Sequence, residues 1–138
     1  MIYIGQTAKS IKVYTTENVI SFANLTGDCN PIHLDKDFAE NTIFKKPIVH
    51  GILVVGQISE LLANQLPGPG TIYLEQNTRF LKPVYHGSTI HCEVIIEEII
   101  KEKSKVKLKT ICKNEDGEIV IDGNATVKVP KEIIGEQE

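Results

Sequence analysis

The sequence predicts an α+β domain in which one antiparallel sheet wraps around a long central helix. Three observations predict it. The second half of the chain falls into long runs rich in Val, Ile and Thr, separated by short turns. The stretch from about Gly51 to Leu66 has helical length and is stopped by Pro67-Gly68-Pro69-Gly70. Its opening residues, Ile52-Leu53-Val54-Val55, are apolar on every side, and a helix of that kind is expected to be buried all round. With 138 residues the chain is expected to form one domain, 1–138, with no second core.

Each element has a local reason. A short strand is expected around Ile11 to Tyr14. Thr15 and Thr16 then offer an N-cap, and Glu17 sits in the first helical turn, where the helix dipole favours an anion. Val19, Phe22 and Ala23 recur at helical spacing. Gly27 suits a C-terminal cap, and Pro31 forbids continuation. Asp35 can cap a second, short helix carrying Phe38 and Ala39. After the long helix, the strand from Thr71 to Lys82 holds Ile72, Leu74 and Phe80 on one parity and ends at Pro83. Ser88 to Lys101, Val106 to Lys113 and Glu118 to Val129 follow as strands, with Asn114-Glu115-Asp116-Gly117 as the hairpin turn between the last two. Lys105, Lys107 and Lys109 alternate with Val106, Leu108 and Thr110, which describes a half-buried strand with a solvated lysine face.

Composition excludes several classes of function. The longest runs without a charge, Leu61 to Leu74 and Pro47 to Ser59, are too short to span a bilayer. The N-terminal residues contain no basic segment followed by an apolar one, so the expected location is the cytoplasm. The net charge is -3 and Arg79 is the only arginine, which argues against nucleic-acid binding. The three cysteines, Cys29, Cys92 and Cys112, lie far apart and are read as reduced, mostly buried side chains. The four histidines are scattered, and no metal site is expected.

Chemistry concentrates in the loop Thr26-Gly27-Asp28-Cys29-Asn30-Pro31-Ile32-His33. Gly27 and Pro31 constrain its backbone, and a loop can aim Asp28 and His33 at one point. Together they offer a carboxylate and an imidazole for acid/base work on one water molecule. On spacing alone, an Asx-turn at Asp28 or Asn30 with a surface His33 accounts for the same residues. Asn30 is read as tying the loop by side-chain hydrogen bonds, and His50 as positioning the start of the long helix. His86 and His91 read as surface or ordinary sheet residues.

The segment from Phe22 to His33, followed by five residues and Ala39, resembles the hydratase motif of the MaoC-like (R)-specific enoyl-CoA hydratases. Pro47-Ile48-Val49-His50-Gly51, the stretch Leu66 to Leu74, and Arg79-Phe80-Leu81-Lys82-Pro83-Val84 are similar to that family too. The likeness covers roughly residues 8 to 130. It implies a hot-dog fold. It also implies a hydro-lyase that adds water to a trans-2-enoyl-CoA thioester and gives the (R)-3-hydroxyacyl-CoA. Asp28 and His33 would be the catalytic pair. Gly51 would offer its N–H to the thioester oxygen, and Ser59 would help orient the histidine side of the site. No cofactor is implied beyond the CoA of the substrate. The expected partners are an acyl-CoA thioester and at least one further copy of the chain, with no nucleic acid and no membrane. Other readings within the fold are an acyl-carrier-protein dehydratase, a thioesterase, or a non-catalytic acyl-binding or assembly domain. Lys45, Lys46 and Lys82 are candidates for a basic rim facing the CoA phosphates.

Overall fold

The computed structural model describes residues 1–135. The elements run β1 (Thr7–Val13), α1 (Thr16–Thr26), α2 (Pro31–Leu34), α3 (Lys36–Glu40), α4 (Gly51–Asn64), β2 (Ile72–Phe80), β3 (Thr89–Ile100), β4 (Lys105–Lys113) and β5 (Ile119–Lys128). The strands form one antiparallel sheet of order β1-β3-β4-β5-β2. Helix α4 packs against β1, β2 and β3. Its Val54, Ile58, Leu61 and Leu62 join Val94 and Ile96 of β3, Val106 and Leu108 of β4, and Ile121 and Val127 of β5 in one buried core. Alternation along β4 places Val106, Leu108, Thr110 and Cys112 inside, while Lys107 and Lys113 stay exposed. On the outer face Lys107 faces Glu98 at 3.9 Å and Lys109 faces Asp122 at 3.6 Å. Exposed pairs of this kind add little stability.

The caps follow their local chemistry. Thr15 accepts from the Asn18 N–H while Asn18 accepts from the Thr15 N–H, a closed capping box at the start of α1. Gly27 ends that helix at φ 82°, a left-handed conformation that glycine adopts without a Cβ penalty. Pro31 does not only end α1. It occupies the first turn of α2, where the missing N–H costs nothing. That one-turn helix, not anticipated from the sequence, carries His33.

Two expectations are corrected. Helix α4 is not buried all round: Ile52 is 63% exposed. The sheet covers one side of the helix, and nothing in the described residues covers the other at its first turn. The cysteines are not all reduced. Cys92 and Cys112 are joined as a disulfide, because the β3–β4 register sets them directly opposite each other with both side chains in the core. Separation along the chain hid a contact that strand pairing creates. Cys29 is free and exposed.

A buried polar bridge anchors α4. Gln57 is 2% exposed, yet its groups are satisfied: Tyr14 Oη donates to its Oε1 at 2.8 Å. Its Nε2 donates to Ser10 Oγ at 3.0 Å and to the Ile90 carbonyl at 3.1 Å. These bonds set the rotation of the helix over β1 and β3, and so the direction in which its first residues point.

Candidate active site

The loop between α1 and α2 is held from both ends. Thr26 Oγ1 accepts from the Asp28 N–H at 3.2 Å, and Asp28 Oδ1 accepts from the Asn30 N–H at 3.4 Å. The turn geometry at Asp28 therefore exists, and it serves to orient the carboxylate. Asn30 Oδ1 accepts from the Ile32 N–H at 3.2 Å and caps α2. Asn30 is thus a loop-fixing residue in this geometry.

His33 is partly buried. Its Nδ1 lies 2.8 Å from the Ile48 carbonyl. A carbonyl only accepts, so Nδ1 carries the hydrogen and donates it, leaving Nε2 with a free lone pair. The Ile48 N–H donates back to the Ile32 carbonyl at 3.1 Å, which ties α2 to the segment leading into α4. Burial pushes the His33 imidazole below its ordinary range. His50 and His86 nearby push the same way, while the Ile48 bond and Asp28 oppose them. A neutral ring with a free Nε2 is suited to accept a proton.

His50, read from the sequence as a helix-start residue, lies in the middle of the site. It is 2% exposed. Its ring stacks on His33 with centroids 3.7 Å apart and packs against Phe22 at 4.7 Å. Its Nε2 donates to the Asp28 carbonyl at 2.9 Å. Polar atoms of Asp28, His33 and His50 come within 4.8 Å of one another, close enough to be the described residues that could hold a cation. The stacked rings do not favour that use, because near-parallel imidazoles do not aim their lone pairs at one point. The dipeptide His50-Gly51 immediately before an apolar helix was the available signal. The sequence alone could not say where the ring turns.

Gly51 is the first residue of α4, and none of the described residues accepts a hydrogen bond from its N–H. It lines a cavity of about 350 Å³ together with His33, Phe44, Ile52 and Phe80. The Phe80 ring lies directly over Gly51: a Cβ there would come within 2.5 Å of it. Asp28 does not line this cavity, and a wider hollow of about 780 Å³ near Met1 and Lys131 is lined by neither Asp28 nor His33. Ser59 stands about two turns further along α4. It is half-buried, does not line the smaller cavity, and makes no hydrogen bond to His33 among the described residues. Lys82 does line the cavity but is paired with Glu118 at 2.6 Å, while Lys46 sits over the Tyr85 ring at 4.8 Å. His86, partly buried in the turn before β3, places Nδ1 3.1 Å from Thr16 Oγ1.

A helix cradled by an antiparallel sheet, with an acid/base pair beside its N-terminus, defines a hot-dog protein of the hydratase and dehydratase class. The solved (R)-hydratase from A. caviae involved in PHA biosynthesis superposes with a TM-score of 0.90 at 40% identity, covering 94% of this chain and 98% of that one. The (R)-specific enoyl-CoA hydratase of Rhodospirillum rubrum is 41% identical over 126 residues, 91% of this chain and 87% of the relative. The 3-hydroxybutyryl-CoA dehydratase of Methylorubrum extorquens is 41% identical over 128 residues, 93% of this chain and 81% of the relative. Residues 4–118 match the MaoC like domain, and the chain belongs to that family.

Proposed function

We propose that this chain is a hydro-lyase that adds water to a trans-2-enoyl-CoA thioester to give the (R)-3-hydroxyacyl-CoA, and that it runs the dehydration in reverse. The observation that carries the reading is the convergence of Asp28 and His33 beside the open N-terminus of α4. Relatives of about 40% identity along nearly the full chain, named as hydratase and dehydratase, support it.

The geometry suggests a division of labour. Water sits between the Asp28 carboxylate and His33 Nε2. One proton leaves the water to this pair as its oxygen bonds to C3, and one proton passes from the pair to C2. The pair therefore ends with the number of protons it began with. As the C–O bond forms, negative charge builds on the thioester oxygen. On this reading the Gly51 N–H, at the positive end of the α4 dipole, stabilises it. Asn30 keeps the loop in shape. Ser59 enters only through the family resemblance, since no contact ties it to His33. On this reading residues 1–138 act as one domain, in a homodimer or higher homo-oligomer, in the cytoplasm. Among the described residues no helix is long and apolar enough to cross a membrane.

The test is loss of enoyl absorbance with crotonyl-CoA. Coupling the reaction to an (S)-specific hydroxyacyl-CoA dehydrogenase should give no signal, and an (R)-specific one should. Turnover of the acyl-carrier-protein thioester but not the CoA thioester would replace the substrate. Release of free CoA would replace the reaction with hydrolysis.

A further inference from the structure

We propose that His50 is a positioning residue for the reaction, holding Asp28, His33 and the first turn of α4 in one arrangement. The inference rests on the hydratase reading above. Its basis is what the His50 side chain does in place of capping. Thr15, Asn30 and Asp35 each cap their own helix through a side-chain oxygen that accepts from N–H groups of the first turn. His50 holds the N-cap position of α4 and makes no such bond. Its ring turns away from the helix into the protein, and the N–H groups of the first turn are left without a side-chain cap.

The ring then makes two contacts that matter to the chemistry. The Nε2–H bond fixes the carbonyl of Asp28, and with it the backbone from which the carboxylate projects. The stack on His33, backed by Phe22 on α1, limits rotation of the imidazole that the Ile48 bond holds at its other edge. One residue thus joins the acid and the base, both carried by the Asp28-to-His33 segment, to the start of α4. Burial at 2% leaves the ring little freedom to leave that position. A displacement of about 1 Å at a reacting group can cost roughly 100-fold in rate.

Four variants assayed with crotonyl-CoA test this. His50→Phe keeps a ring against His33 and removes the donor. His50→Gln keeps an amide donor near the Nε2 position, and His50→Asn is too short to reach the Asp28 carbonyl. Phe and Asn should lower kcat by about 10- to 100-fold with KM changed by less than about threefold. Gln should recover much of the loss. In an Asp28→Asn background, His50→Asn should add little, because it acts through a group already disabled. Circular dichroism should read native for the Asn and Gln pair even if the Phe ring is not accommodated. Wild-type kcat in His50→Asn, equal losses in Asn and Gln, or a loss confined to KM would each overturn the proposal while leaving the hydratase reading intact. A wild-type protein inactive on every enoyl thioester would sink both.

Discussion

Asp28→Asn and His33→Ala should each lower kcat by about two to four orders of magnitude, the usual range for acid/base groups. Asn keeps the size of Asp, and its side-chain oxygen can still accept from the Asn30 N–H, so the loop should survive while proton transfer does not. Both residues act on one water molecule, so the double variant should be little worse than the poorer single one. Full multiplication of the two losses would show that they act on separate steps. The pH profile gives a second check on His33. Burial lowers its affinity for a proton, so the neutral, proton-accepting form persists below the ordinary histidine value of 6.5. Hydration should hold its kcat/KM as pH falls through 6.5 and decline only on the acid side of it. An acid limb above 6.5 that disappears in His33→Ala would contradict the burial argument.

At the scale of elements, the start of α4 and the end of β2 are coupled through Gly51 and Phe80. A Cβ at position 51 would meet the half-exposed Phe80 ring, which can swing aside but only by disturbing the mouth of the cavity it lines. Gly51→Ala should therefore raise KM for crotonyl-CoA several-fold while the melting temperature changes little. Adding Phe80→Ala should relieve the clash and restore KM toward that of Phe80→Ala alone. Persistence of the defect in the double variant would locate the need for glycine in the backbone of α4 itself. The contrast with Gly27 is useful. There the positive φ makes any side chain strained, whereas at Gly51 a neighbouring ring sets the limit.

At the scale of the molecule, the sheet ends in two edge strands, β1 and β2, and β2 exposes Ile72, Leu74 and Phe80. The adjoining Leu81 and the first turn of α4, through Ile52, are exposed as well. An edge with unpaired backbone groups and an apolar flank is a template for association. A second copy joined along β2 would satisfy both. Light scattering at micromolar concentration should give at least twice the 15.3 kDa of one chain. Ile72→Lys should shift that equilibrium toward single chains. Particles of one chain only, in the wild type, would show that the edge is tolerated bare.

What could be read from residues in order is what neighbours in the chain determine. Thr15, Gly27 and Asp35 announced their caps because capping is a contact across three or four positions. The β4–β5 turn and the lysine face of β4 were legible for the same reason: turn chemistry and a period of two need no distant partner. The Asp28-to-His33 loop was legible as a candidate site because its two chemical groups are five residues apart. Distant partners decided the rest. The Cys92–Cys112 bond depends on strand register, and the exposure of Ile52 depends on which side of α4 the sheet covers. The place of His50 depends on α1 and the Asp28-to-His33 loop meeting the start of α4, so that the N-cap residue of that helix also stacks on the base and bonds the backbone of the acid. Those facts belong to tertiary structure because burial, stacking and register are properties of surfaces brought together, and no single stretch of chain contains both surfaces.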